Sequence, residues 1–171
     1  QGVFDRDKAT LAGLSEGERR LLAAGTDVET QNGTTLKASS FRGPERRAHS
    51  FVISGDTAEQ SIHPIGIPTV LVHEATFLEE SQSKAEEHLH STAMGAARTA
   101  RACGAEHLVL THFSARIRDA SESLNEASTE LEGTGIEYAN DGDSLQIDVD
   151  GNVMFYRRSE DGWKQHNITH H

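Results

Sequence analysis

Apolar residues recur along the chain in two alternating patterns, short aliphatic runs and longer segments with helical spacing. Val70–Val72 and Leu108–Leu110 are aliphatic runs of the type that a parallel sheet buries on both faces. Between them, Ser91 is placed to cap a helix that ends at Cys103 and Gly104 and carries alanines on one side, at Ala93, Ala96, Ala97 and Ala100. This order of strand, helix and strand predicts an α/β fold.

The segments before this unit predict a helix, a hairpin and one further strand. The helix covers Ser15–Ala24 and is followed by a glycine that would end it. Asp27–Thr30 and Thr34–Ala38 flank Gln31-Asn32-Gly33, and the Asn-Gly dipeptide is the strongest short-range signal for a hairpin turn. An exposed, arginine-rich loop then leads to the apolar strand Phe51–Ile53.

The last third of the chain predicts a helix followed by an all-β segment. Ser121–Leu131 has apolar residues spaced as a buried stripe of a helix. Three strands follow, the last two joined by the turn dipeptide Asp150-Gly151, at Ile136–Ala139, Leu145–Val149 and Val153–Arg157. Residues 159–171 are polar and are expected to form a tail, so residues 48–158 are the best supported part of the predicted domain.

Charge and length narrow the class of protein. The 171 residues suffice for one domain, and 27 acidic against 16 basic side chains give a formal net charge of −11. An acidic surface with only four lysines is typical of a protein adapted to high salt, although an ordinary acidic cytosolic protein fits equally well. Binding to nucleic acid would therefore depend on local arginines rather than on the overall field.

Other sequence features bear on the compartment and on the extent of the chain. The single cysteine, Cys103, excludes an intrachain disulfide and fits a reducing compartment. No apolar run approaches the roughly 20 residues of a membrane helix, so we expect a soluble protein without membrane contact. The sequence begins at Gln1 without a signal peptide, which we interpret as a fragment or a processed piece.

Asp56 and His112 each follow a predicted strand and are candidate metal ligands. Because parallel strands end at the same edge of a sheet, these two side chains can meet there, and a carboxylate with an imidazole suits zinc. Taken singly, Asp56 is more typical of a turn or a helix cap, and His112 of a hydrogen-bonded interior histidine. Zinc also needs at least one further protein ligand.

His90 stands at the start of a predicted helix, where it suits a proton donor or a phosphate contact better than a metal ligand. The neighbouring hydroxyls of Ser91 and Thr92 are candidate phosphate contacts. His88, two residues away, and His90 remain alternative metal ligands. Glu74, after the strand Val70–Val72, could hydrogen-bond His90 and raise its proton affinity, or could be an ordinary surface carboxylate.

Four blocks together resemble the ribonuclease Z family of tRNA 3′-processing endonucleases, within the metallo-β-lactamase superfamily. In order along the chain, they are Ser54-Gly55-Asp56-Thr57, His73-Glu74-Ala75-Thr76-Phe77, His90-Ser91-Thr92-Ala93 and Thr111-His112-Phe113-Ser114. The resemblance covers nearly the whole chain and implies an αβ/βα sandwich, of which this chain would be the carboxy-terminal half.

The resemblance implies a role for each site residue. Asp56 would bridge two zinc ions and His112 would bind the second. His90 would donate a proton to the leaving oxygen, with Glu74 orienting and charging it. Arg116 matches an arginine that contacts phosphate in the family, although its neighbours Ala115 and Ile117 depart from the family pattern. The substrate would be precursor tRNA, and the full-length protein a cytoplasmic homodimer.

One block of the family is absent from these 171 residues. The family's first metal motif, His-x-His-x-Asp-His, does not occur in the sequence, so we expect the chain alone to be inactive. Two alternatives to a ribonuclease Z remain at this stage. The chain could derive from a relative that hydrolyses small phosphodiesters or sulfate esters, or it could be a non-catalytic half-domain that pairs with another chain.

Overall fold

Residues Gln1–Arg47 form the smaller of two units in a computed structural model that describes residues 2–30, 32–44, 48–59 and 64–170. The elements of this unit are α1 (Arg6–Leu11), α2 (Glu16–Ala23), β1 (Val28–Glu29), β2 (Thr35–Leu36) and a 3₁₀ turn (Ala38–Phe41). Ser15 begins α2 with a capping box, in which its hydroxyl accepts from the Glu18 N–H and the Glu18 carboxylate accepts from the Ser15 N–H. The unit has its own apolar cluster, which includes Leu14, Leu22 and Phe41.

The second unit, Ala48–His171, alternates strands and helices and then becomes all-β. Its elements are β3 (Phe51–Ile53), β4 (Val70–Glu74), a 3₁₀ turn (Glu79–Ser81), α3 (Gln82–Glu87), α4 (Ala93–Cys103), β5 (His107–Thr111), α5 (Ser121–Ser128), β6 (Gly135–Tyr138), β7 (Ser144–Ile147), β8 (Val153–Ser159), β9 (Gly162–His166) and β10 (Thr169–His170). The α/β class predicted from the sequence is confirmed.

A five-stranded sheet in the order β10-β6-β5-β4-β3 forms the middle layer of this unit. The strands β3 to β6 are parallel, and β10 is antiparallel to β6. In the register of β4 with β5, Val70 pairs with His107 and Glu74 with Thr111, so the two strands end together. The residues that follow β3, β4 and β5 therefore emerge at one edge of the sheet.

The two faces of this sheet are buried by different layers. On one face, Leu71, Leu108, Leu110 and Ile136 pack with the alanines of α4 and with Ala127 of α5. On the other face, Val70 and Val109 pack with Phe155 of a second, antiparallel sheet in the order β7-β8-β9. The layers are thus helices, parallel sheet and antiparallel sheet.

Most predicted elements are confirmed, but several of their bounds differ. The cap of α4 is Thr92 rather than Ser91, because the Thr92 hydroxyl accepts from the Gly95 N–H at 2.9 Å. The helix α5 ends at Ser128, three residues before the buried Leu131. The polar residues after 159 do not form a frayed tail: β9 pairs with β8, and β10 pairs with the edge of the parallel sheet. A strand at the edge of a sheet pairs on one side only, so most of its residues can be polar. Such a strand lacks the apolar pattern from which strands are predicted.

Two sequence predictions fall partly outside the described residues. These are Gln31 in the hairpin turn, and residues 45–47 of the arginine-rich loop. Within the described ranges, no helix combines the length and apolar character that a membrane span requires.

Candidate metal centre and acid–base site

Three side chains converge at the carboxyl edge of the parallel sheet. Asp56 follows β3, His112 follows β5 and His90 precedes α4, and one ligand atom from each lies within 4.8 Å of the others. The His112 Nε2 atom is 3.6 Å from Asp56 Oδ2. Asp56 and His112 are exposed, whereas His90 is half-buried. The sequence prediction that Asp56 and His112 meet at a sheet edge is confirmed, and this cluster could hold a metal ion.

The backbone at His112 turns the side chain back toward the site. Its φ of 55° lies in the left-handed region, which a residue with a Cβ adopts at a cost of about 1–2 kcal/mol. The imidazole ring of His112 lies against that of His90, with centroids 5.3 Å apart and planes inclined by 25°. Such a conformation in a residue that is not glycine is typical of positions where surrounding contacts hold a side chain for function.

His90 is positioned by the end of α3. The N–H of Leu89 donates to Glu86 and that of His90 to Ala85, which are the two hydrogen bonds of a Schellman motif. Leu89 takes the left-handed position with a φ of 57°. The chain then pairs with the segment after β4, because the Phe77 N–H donates to the Ser91 carbonyl and the Ala93 N–H to the Phe77 carbonyl.

Glu74, at the end of β4, is buried and hydrogen-bonded to His90. Its side chain is 1% exposed, and Oε1 lies 2.6 Å from His90 Nδ1. Oε1 also accepts from the Thr57 N–H at 2.9 Å, and Oε2 accepts from the Thr76 N–H at 3.2 Å. Burial acts to raise the pKa of Glu74, but the hydrogen bonds from Thr76, His90 and the backbone outweigh it and leave that pKa below its ordinary value. The alternative of a surface carboxylate is therefore wrong.

The hydroxyls of Ser91 and Thr92 are engaged inside the protein. The Ser91 hydroxyl donates to the Thr57 carbonyl at 2.8 Å, and the Thr92 hydroxyl donates to a Glu79 carboxylate oxygen at 2.8 Å. Both residues are 1% exposed. Side-chain contact with a substrate phosphate, predicted from their place beside His90, does not fit this burial. Both residues instead anchor the segment that carries His90.

Arg116 is exposed and lies beside the site, but it does not belong to the triad of Asp56, His90 and His112. It lines a cavity of about 280 Å³ together with Lys84, Ser114 and Thr76, whose hydroxyl faces the histidines. His88, the other alternative metal ligand, is exposed and stacks on Phe77 with ring centroids 6.5 Å apart. Among the described residues, His88 is not part of the cluster that could hold a metal ion.

Sequence reasoning assigned no role to Thr76 or to His73. The Thr76 hydroxyl lies 2.6 Å from Glu74 Oε2 and 2.8 Å from His112 Nδ1. His73 is fully buried beside Glu74, and burial lowers its pKa and favours the neutral ring. Both residues belong to the block around Glu74, and only their place in that block could have indicated a role for them. The order of polar and apolar residues gives no such indication.

Comparison with known proteins identifies the chain's relatives. A protein of Halalkalibacterium halodurans named ribonuclease Z is 39% identical over 121 residues, which are 69% of this chain and 39% of that protein. The ribonuclease Z of Myxococcus xanthus is 39% identical over 150 residues, 85% of this chain and 48% of its own. That of Haloferax volcanii is 36% identical over 157 residues, 88% of this chain and 49% of its own. By sequence, the chain belongs to the ribonuclease Z family.

The chain spans less than half the length of these ribonuclease Z relatives, between 39% and 49%. No family model matches it. Among solved structures, the metallo-β-lactamase fold protein YhfI from Bacillus subtilis matches 76% of this chain and 47% of its own, with 19% identity and a TM-score of 0.47. The short form of human tRNase Z matches 63% of this chain and 34% of its own, with 26% identity and a TM-score of 0.40.

Proposed function

We propose that this chain is the carboxy-terminal half of a zinc-dependent endoribonuclease that removes the 3′ trailer from precursor tRNA. Its contribution to the site is part of the zinc ligand set, together with the group that protonates the leaving oxygen. The observation that carries the proposal is the Glu74–His90 pair, 2.6 Å apart, beside the ligand atoms of Asp56 and His112 in a homologue of ribonuclease Z.

The donors of the triad fit zinc. A carboxylate oxygen and imidazole nitrogens are ligands that zinc accepts in catalytic sites. His112 Nε2 faces the Asp56 carboxylate at 3.6 Å, too far for a hydrogen bond and a distance that a shared cation would explain. We assign Asp56 and His112 as ligands of a two-zinc site. When bound, the metals would supply Lewis-acid stabilisation of the reacting phosphate and an activated water.

His90 is the proposed general acid. Its Nδ1 lies 2.6 Å from the Glu74 carboxylate and donates to it, which fixes the orientation of the ring. The remaining nitrogen, Nε2, is then available to give a proton to the ribose oxygen that leaves. The products would be a tRNA 3′-hydroxyl and a 5′-phosphorylated trailer.

The proposed substrate is polyanionic, whereas the chain carries a net charge of −11. Phosphates of the RNA backbone would therefore be held by local cations, and Arg116 and Lys84 at the cavity beside Thr76 are suitable for that contact. By analogy with the family, the full-length protein would act in the cytoplasm as a homodimer. The sequence lacks the His-x-His-x-Asp-His motif, so we expect that this chain needs further zinc ligands to become active.

The decisive test compares two variants of the full-length protein on precursor tRNA. His90→Ala should lower turnover about 100-fold or more, as expected for a lost general acid, while zinc content stays near that of the wild type. Asp56→Ala should lose zinc and activity together. Turnover is measured from the release of the 3′ trailer, and zinc by elemental analysis of the purified protein.

His88→Ala is the matched control, because His88 is two residues from His90 and lies outside the triad. It should leave both turnover and zinc content unchanged. Loss of zinc in His90→Ala would instead make His90 a metal ligand. Absence of tRNA cleavage beside rapid hydrolysis of a small phosphodiester by the wild-type protein would replace the proposal with a phosphodiesterase.

A further inference from the structure

The hydroxyl of Thr76 lies between one carboxylate and two histidines. Its Oγ1 atom is 2.6 Å from Glu74 Oε2, 2.8 Å from His112 Nδ1 and 3.3 Å from His90 Nδ1. Thr76 is buried, and its own N–H also donates to Glu74 Oε2. A threonine that only filled space here would not need its oxygen directed at all three groups.

Counting protons on this network indicates which group donates in each contact. A hydroxyl has one proton to donate and two lone pairs that accept, and an ionised carboxylate only accepts. The Thr76 hydroxyl has two acceptor oxygens within reach, Glu74 Oε2 at 2.6 Å and the His112 carbonyl at 3.1 Å, and its one proton goes to the carboxylate because that contact is shorter and its oxygen carries charge. Its lone pairs are then left for His112, so the Nδ1 atom of His112 must carry a proton and donate.

We propose that Thr76 is a positioning residue that fixes His112 as the tautomer protonated on Nδ1. Nε2 is then the nitrogen with the free lone pair, and it is the atom that faces Asp56 at 3.6 Å. Glu74 thereby orients His90 by a direct contact and His112 through the Thr76 hydroxyl. One buried carboxylate thus sets the proton donor and, if the proposed function holds, also a zinc ligand.

The protonation pattern can be read in the metal-free chain by NMR. In the chain labelled with ¹⁵N-histidine and treated with chelator at mildly alkaline pH, two-bond ¹H–¹⁵N correlations distinguish protonation on Nδ1 from protonation on Nε2. We expect His112 to carry its proton on Nδ1, although a free imidazole in water prefers Nε2. A His112→Gln variant assigns the signal. A proton on Nε2 in the wild type would overturn the proposal.

Two substitutions of Thr76 test the hydroxyl itself. Thr76→Val keeps the shape and removes the hydroxyl, so the His112 proton should move largely to Nε2; Thr76→Ser keeps the hydroxyl and should preserve the wild-type pattern. Unchanged protonation in Thr76→Val contradicts the proposal. If Thr76→Val does not fold, the wild type and Thr76→Ser still decide, because both must show the proton on Nδ1.

Thr99→Val is the matched control, since it removes another buried hydroxyl, which donates to the Gly95 carbonyl at 3.0 Å in α4. It should leave the His112 signal unchanged, and a shift there would indicate a general effect of losing a buried hydroxyl. In the full-length protein, zinc affinity measured against a chromophoric chelator should fall about 10- to 100-fold in Thr76→Val but not in Thr99→Val. If zinc does not bind the full-length wild type while the proton of His112 is on Nδ1, the proposed function fails and the tautomer assignment stands.

Discussion

Buried carboxylates organise the side chains of the larger unit at two places. Glu74 orders the site at the sheet edge. Asp143, between β6 and β7, accepts hydrogen bonds from the N–H groups of Arg158 and Asn140 and from the Arg157 guanidinium at 2.8 Å. Arg157 in turn pairs with the buried Glu137 at 2.6 Å. Glu74 and Asp143 are each stabilised in the charged form by several donors, which makes their contribution to folding dependent on pH.

Asp143→Asn should destabilise the protein by about 2 kcal/mol at pH 7, because a charged hydrogen-bond acceptor is lost in a buried position. Burial acts to raise the pKa of Asp143, but its hydrogen bonds and Arg157 leave that pKa lowered. The stabilisation is therefore present above the ordinary pKa of an aspartate and is lost as pH falls through the lowered value. The difference in unfolding free energy between variant and wild type should shrink at acid pH.

Urea unfolding of both proteins at pH 7 and at pH 3 measures this difference. Asp161→Asn is the control, because it removes the same charge from an exposed side chain. That variant should change the unfolding free energy by less than about 0.5 kcal/mol at either pH. An equal loss in Asp143→Asn at both pH values would show that its carboxylate does not gain stability from ionisation.

Among the residues that the structure describes, four helices end in a residue with left-handed backbone, and one of these four residues is not glycine. The four are Gly13, Gly25, Leu89 and Gly104. At the end of α4, Gly104 has a φ of 69° and its position is open to a side chain without steric conflict. At the end of α3, Leu89 accepts the same conformation immediately before His90. The helix end with the strained residue, Leu89 after α3, is therefore the one that directly precedes the site residue His90.

Gly104→Ala should lower the unfolding free energy by about 1 kcal/mol, from the left-handed conformation alone. Leu89→Gly is the matched substitution in the opposite direction. It relieves strain but increases the backbone entropy of the unfolded chain, so its net change should stay within about 0.5 kcal/mol. Urea unfolding followed by circular dichroism measures both. A loss in Leu89→Gly as large as that in Gly104→Ala would mean that the Leu89 side chain stabilises the fold.

At the scale of the whole molecule, charge is the dominant property. With a net charge of −11, the folded chain experiences self-repulsion that dissolved salt screens. The Debye length falls from about 30 Å at 0.01 M salt to about 10 Å at 0.1 M, so the effect should appear at low concentrations where salt hardly changes the hydrophobic effect. The acidic composition therefore predicts a stability that depends on salt.

The melting temperature should rise by several degrees when sodium chloride is raised from 0.01 M to 0.3 M at pH 7.5, since about 1 kcal/mol corresponds to roughly 2–4 °C in a chain of this size. Differential scanning calorimetry measures the shift. The same series near the isoelectric pH is the control and should show a much smaller rise, because the net charge is close to zero there. A flat profile at pH 7.5 would refute the idea of adaptation to salt.

Local sequence patterns by themselves determine much of the fold. The strands around Val70–Val72 and Leu108–Leu110, the alanine helix between them and its end at Gly104 all follow from periodicity and capping chemistry. So does the meeting of Asp56 with His112, because parallel strands end at a common edge. A strand that is buried on both faces consists of aliphatic residues, and a position with left-handed backbone favours glycine. Both requirements are therefore visible in the sequence.

Tertiary structure alone decided which polar groups are buried and what they contact. Ser91 and Thr92 look accessible in sequence, but the pairing of their segment with Phe77 buries them. The contact of Thr76 with His112 joins residues 36 positions apart, and it depends on the left-handed turn at His112. Side-chain polarity in the sequence does not encode such long-range contacts, because a hydroxyl can satisfy its hydrogen bonds equally well with water, backbone or a distant side chain.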